Sequence, residues 1–215
     1  MKVLSILPTT LAASVALTFG IGAADAASFT QDGEMIYLSG TIDEGDADTL
    51  DAMAEVSGIT QLTLESDGGL ATEGYNLGYT IQRLGLDTTV VEGATCLSAC
   101  AVAFLGGDVK TVDGLLGFHV AWSESYDSFS DGMKAGQIIG ALNSAYFFQM
   151  GYTIQLPHIV AHMTDAEHFL LLSAADLEFF EMVDKEYSLF KQIPDGWLGT
   201  RIAGPFRLGI LRRNW

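Results

Sequence analysis

The chain is poor in positive charge: 10 Lys and Arg residues stand against 27 Asp and Glu among 215, a net charge of −17. A surface of that sign repels nucleic-acid phosphates and anionic membrane headgroups, so neither is expected as the main partner. Only 2 cysteines are present, which excludes the cross-linked scaffold of a small secreted domain. Beyond the N-terminus no apolar run approaches the ~18 residues that a membrane span needs. There is no internal repeat and no linker-like stretch. With 49% hydrophobic and 17% charged residues, the composition also excludes disorder and low-complexity behaviour. What remains is an acidic globular protein with enough chain for a sizeable core.

The N-terminus reads as a targeting segment. Lys2 precedes an apolar run from Val3 to Ile21, interrupted by Pro8, and Ala24-Asp25-Ala26-Ala27 is a small-residue cleavage site. That order is the order of a secretory signal peptide, expected over residues 1–26, with an uncleaved anchor as the alternative. Cleavage removes one charge of each sign and leaves the net charge unchanged. Export places the mature chain in the periplasm or outside the cell, where disulfides are allowed and ATP is absent.

Along the mature chain, strand and helix signals alternate. Met35 to Ile42, Ile59 to Glu65, Thr88 to Val91 and Leu115 to Val120 read as strands. A helical stripe at Leu50, Met53, Ala54 and Val56 ends at Gly58, and a second over Leu70 to Leu84 ends at Gly85. Ala99 to Leu105 reads as a short buried helix. Ser130 or Asp131 caps a long one from about residue 133 to Met150, and Ser173 with Asp176 forms a capping box for the last. This alternation predicts an α/β domain with largely parallel strands, from about residue 28 to 190. A tail over 191–215 follows, with Arg201, Arg207, Arg212 and Arg213 interleaved with Trp197, Phe206 and Trp215. It reads as an arm folding back onto the acidic body, with membrane or partner contact as the weaker alternative.

Three points carry candidate chemistry. Ser98, in Thr95-Cys96-Leu97-Ser98-Ala99-Cys100, falls between a strand and a helix start, where backbone amides would stabilise developing negative charge. The bland alternative is that Ser98 simply caps the helix. Asp67-Gly68-Gly69 ends the preceding strand on the same sheet edge, and adjacent glycines allow close approach and aim amides into a cleft. His119 ends the strand that follows the Ser98 helix and is a candidate base. His158 and His162, four apart, raise a metal site near His168, but without a third ligand no metal is expected. Cys96 and Cys100 bracket Ser98, as a disulfide or as two small buried residues.

Taken together, these segments resemble the Clp protease proteolytic subunit (ClpP) family of the ClpP/crotonase fold, and most of all its exported, ATPase-independent relatives. The resemblance runs from about Ile36 to Asp184. Ile36-Tyr37-Leu38-Ser39-Gly40-Thr41-Ile42 resembles the family's opening strand and Glu65-Ser66-Asp67-Gly68-Gly69 its glycine turn. Phe169 through Leu172-Ser173-Ala174-Ala175-Asp176 to Met182-Val183-Asp184 resembles its C-terminal stretch. The resemblance implies repeated β-β-α-type units, a largely parallel sheet and flanking helices. It implies a serine peptidase with Ser98 as nucleophile, His119 as base, Asp165 as orienter, and amides of Gly68 or Gly69 and of Ala99 as the oxyanion hole. The implied substrate is a peptide or protein, with no cofactor.

Departures from the family pattern limit what carries over. Asp67 replaces the family's proline and brings a carboxylate near the oxyanion site. The stretch from Ala121 to Met150 does not match the family's ring-assembly handle, so homo-oligomerisation stays open and heptameric rings are not expected. An exported chain has no ATPase partner. Two alternatives remain: a non-catalytic binding or assembly module, and a Ser98–Lys134 dyad, with Lys110 a poorer base.

Overall fold

The structure, a computed structural model, describes residues 26–121, 128–181 and 210–212. Nearly all of the expected signal peptide, the domain end near 190 and the tail apart from 210–212 lie outside the described residues.

The first sheet grows from strands that alternate or bury completely. In β2 (Met35–Ser39), Ile36 and Leu38 are buried while Tyr37 faces out, the period of a half-covered strand. β1 (Ser28–Asp32) pairs with it antiparallel at the sheet edge. β3 (Gln61–Glu65) buries Leu62, Thr63 and Leu64 in succession, as a central strand covered on both faces does. β4 (Asp87–Val90) and β6 (Lys110–Val112) complete the order β1-β2-β3-β4-β6. From β2 onward every pairing in this sheet is parallel. Parallel neighbours need crossovers, which α1 (Asp46–Ser57) and α2 (Ala71–Leu84) supply. β5 (Thr95–Leu97) and α3 (Ala99–Phe104) lie between β4 and β6.

The second sheet has the order β5-β7-β8-β9, with β7 (Leu115–Phe118), β8 (His168–Leu172) and β9 (Ile210–Arg212). β5 and β7 are parallel; the other two pairings are antiparallel. Between β7 and β8 run α4 (Phe129–Gln149) and α5 (Gln155–Met163), and α6 (Ala174–Phe180) follows β8. The architecture is α/β, with parallel strands and flanking helices. No described helix is long and apolar enough to cross a membrane.

Several expected boundaries hold for the expected reason. α2 closes at left-handed Gly85, whose amide reaches the Gln82 and Ile81 carbonyls, and Ser173 and Asp176 form a reciprocal capping box on α6. Others move. α4 starts a turn earlier than expected, because Ser128, not Ser130 or Asp131, accepts the Asp131 amide. α1 is preceded by left-handed Gly45 with no side-chain cap. β1, β5, β6, β8, β9 and α5 were not anticipated.

α4 is tied to α3 through Tyr146, which is buried and donates its hydroxyl to the Val102 carbonyl at 2.8 Å. Its ring packs tilted on Tyr75 and edge-on to Tyr79, both on α2. Tyr146→Phe is expected to lower unfolding free energy by about 1 kcal/mol, the net worth of one hydrogen bond, seen as a lower urea midpoint at unchanged slope.

Candidate active site

β5 ends at Leu97, and the chain turns into α3 within one residue. That residue, Ser98, has φ 56° and ψ −121° and is the only described non-glycine residue with positive φ. Such a conformation costs of order 1–3 kcal/mol and persists only where neighbours enforce it. Here they do. The Ser98 amide donates to the Gly117 carbonyl of β7, its carbonyl accepts from Val102, and the Leu97 amide donates to Ser66. The side chain makes no helix cap. Its Oγ lies 2.7 Å from His119 Nε2.

His119 directly follows β7, and the β7–β8 register sets Phe118 opposite Leu170. Phe169 then stacks on the imidazole with ring centroids 4.3 Å apart. Burial pushes the His119 pKa below its ordinary 6.5; the main chain and charge of Asp165 oppose that shift without reversing it. The imidazole is therefore held as a neutral base. Its Nδ1 is buried and meets no acceptor in hydrogen-bonding alignment.

The loop carrying Asp165 is pinned beside His119 by Thr164, whose Oγ1 accepts the Val120 amide at 3.0 Å and donates to the Val160 carbonyl. The Asp165 carboxylate, expected on His119, points elsewhere. Its Oδ1 takes the amides of Glu167 and His168 at 2.8 and 2.9 Å, and the His168 imidazole sits 2.8 and 2.9 Å from its two oxygens. These bonds, the Glu167 amide foremost, hold its pKa below the ordinary carboxylate value. A short acidic side chain in a turn bonds its own backbone first, which is why the carboxylate faces away.

Gly68 packs directly on this turn. A Cβ there would stand 2.6 Å from Ser98 Cβ and 2.8 Å from the Leu97 carbonyl, so only glycine fits, at φ 104°. The Gly68 amide is not free: it donates to Ser66 Oγ at 3.0 Å. Of the three candidate oxyanion amides, those of Gly69 and Ala99 remain without a partner among the described residues, and Gly69 is solvent-exposed. Asp67 is exposed and accepts from Thr95 Oγ1 at 3.4 Å, so water screens its charge.

Cys96 and Cys100, both fully buried, form a disulfide that spans the Ser98 turn. Beside Ser98 opens a cleft of about 390 Å³, open solvent included, walled by Val102, Phe118, Phe147 and Val160. At its polar side Tyr75 donates to Asn143 Oδ1 at 2.7 Å. Burial pushes the Tyr75 pKa up to about 12, which keeps the hydroxyl a donor.

The alternative bases are elsewhere. Lys134 is exposed on α4 and does not line the cleft; Lys110 pairs with Glu181 at 3.9 Å and lies over the Tyr152 ring. His158 and His162 are exposed on α5, and among the described residues no group of three or more His, Cys, Asp or Glu could hold a metal ion. Sequence reasoning missed Tyr75, Asn143 and Phe147 as cleft residues, and Phe169 as the ring under His119. Nothing local marks them, since Tyr75 and Asn143 are 68 positions apart.

Solved structures share this arrangement of elements. The chain superimposes on a point mutant of ClpP1 from Listeria monocytogenes with a TM-score of 0.52 at 14% identity, over 69% of this chain and 88% of that one. The chain has a ClpP-like fold. A mutant of the 1510-N membrane-bound stomatin-specific protease aligns at TM-score 0.48 and 16% identity, over 67% of this chain and 74% of that one. No family model matches the sequence, and no curated protein matches it. The ClpP-like fold is thus visible in three dimensions at an identity where sequence comparison is silent.

The disulfide closes a very short loop, for which the chain-entropy model gives about 2 kcal/mol. Unfolded without reductant, the protein is expected to show no titratable thiol. Reduction should lower the unfolding free energy by about that amount, seen as a lower urea midpoint, and two free thiols before reduction would contradict the pairing.

Proposed function

We propose that the chain is a serine hydrolase of peptidase type, with Ser98 as nucleophile and His119 as general base. The observation that carries this reading is the 2.7 Å contact between Ser98 Oγ and His119 Nε2, made by a serine in a strained strand-to-helix turn that leaves its hydroxyl free of capping. In the proposed reaction Ser98 Oγ attacks the substrate carbonyl while His119 Nε2 takes its proton. The tetrahedral oxyanion accepts from the Gly69 and Ala99 amides. His119 then returns the proton to the leaving amine, and water releases the acyl group by the same route reversed. Asp165 is the proposed orienter of His119. No cofactor enters these steps.

The apolar walls and single polar couple of the cleft favour a modest, largely apolar side chain next to the scissile bond. The N-terminal signal pattern supports action outside the cytoplasm, on peptides or proteins and without an ATPase partner. An exposed, screened Asp67 weakens one of the two sequence arguments for a non-catalytic binding or assembly module; the other is the unmatched stretch from Ala121 to Met150.

A fluorophosphonate probe should label the protein, and neither Ser98→Ala nor His119→Ala should label. Labelling that survives Ser98→Ala, or never occurs, overturns the reading. The pH profile has a sign. Because burial favours the neutral imidazole, protonation of His119 needs a lower pH than usual, so the acid limb of the labelling rate should have its midpoint below 6.5. A midpoint above that value would contradict a desolvated base.

A further inference from the structure

We propose that His168 is a positioning residue that holds the Asp165 carboxylate away from His119, so that Ser98 and His119 rest as a pair and gain their third member when His168 releases it. The inference rests on the hydrolase reading for its consequence but on geometry for its content. On one side is an imidazole nitrogen that lacks an aligned acceptor: His119 Nδ1 is buried with only the main chain of Asp165 acting on the ring, out of hydrogen-bonding alignment, while Nε2 is fixed on Ser98 and the ring face on Phe169. A buried donor without an aligned acceptor is costly, of order 1–3 kcal/mol.

On the other side is a carboxylate with one oxygen committed and one held by a replaceable partner. Oδ1 takes the two turn amides, of Glu167 and His168. The His168 imidazole straddles both oxygens, 2.8 Å from Oδ1 and 2.9 Å from Oδ2, and is the one partner of Oδ2 among the described residues. Without that ring, Oδ1 keeps folding the turn while Oδ2 becomes free for another donor. The Thr164–Val120 bond keeps the turn beside His119 throughout. Neither partner is locked in place: the Asp165 and His168 side chains are 63% and 35% exposed, so rotating either leaves no buried void. His168 therefore competes with His119 for a single oxygen.

The test uses the full chain with His168→Phe, which keeps the ring and loses the donor, and His168→Asn, whose amide nitrogen can stand in for Nδ1. Proton NMR reads the far-downfield resonance of a histidine Nδ1–H bonded to a carboxylate. It should be absent in the wild type and in His168→Asn, present in His168→Phe, and lost again when His119→Gln is added. With p-nitrophenyl acetate as substrate, kcat should rise about tenfold in His168→Phe at unchanged KM, inside the ~10,000-fold that a triad aspartate is worth. A His168→Phe spectrum without the resonance, or with the resonance already in the wild type, overturns the proposal whatever the kinetics. Absence of turnover and labelling in every variant would instead sink the hydrolase reading, leaving the NMR result to decide on His168.

Discussion

The site depends on one close contact, the backbone of Gly68 against the Leu97 carbonyl, the Ser98 Cβ and the Ala99 amide. At this point the two sheets meet: Ser66, just past β3, bridges to Cys96 in β5, its amide donating to the Thr95 carbonyl and its carbonyl accepting from the Leu97 amide. A strand end from the first sheet is thereby pressed on the strand end that carries Ser98. No side chain fits between them, which is why Gly68 cannot be replaced. The strained φ of Ser98 is the other face of the same constraint. With Gly68 below, Gly117 hydrogen-bonded at its amide and the Cys96–Cys100 disulfide bridging the turn, the chain has one way through. That way leaves the hydroxyl pointing at His119.

From this contact the rest of the site follows in order of distance. His119 is set by β7, which pairs with β5 directly, and its ring is backed by Phe169 from β8. The Gly69 and Ala99 amides, proposed to hold the oxyanion, flank the contact, one on each side. The near cleft walls, Val102 and Phe118, come from α3 and β7; the remote ones come from α2, α4 and α5, and α4 is anchored to α3 by Tyr146. Asp165 is the member least constrained, since its loop is fixed by Thr164 while its carboxylate is free to satisfy its own turn.

The same gradient separates what was legible in the amino-acid sequence from what was not. Ser98, His119 and the glycine turn sit at strand ends whose apolar alternation and Gly punctuation are local signals. α2 and α6 were legible because Gly85 and the Ser173–Asp176 box are chemical stop and start marks. The short strands β5 and β6, three residues each, carry too few side chains for a period to register, and they form because a neighbouring strand is already there. β8 was hidden by its own content: after His168 it is an unbroken apolar run, Phe-Leu-Leu-Leu, between a turn and a cap, without the alternation that marks a strand. The family resemblance placed Asp165 near the site. It could not tell which way the carboxylate turns, because that is decided by His168 three residues on and by two backbone amides.

The central claim is that Ser98 forms a covalent acyl-enzyme. Its most direct test is rapid acid quench of the protein with an activated acyl ester, followed by intact-mass and peptide mass spectrometry. A mass increase of one acyl group, carried by the peptide containing Ser98 and accumulating before steady state, is the expected result. An acyl group on any other residue, or turnover with no covalent intermediate at any quench time, would contradict the account.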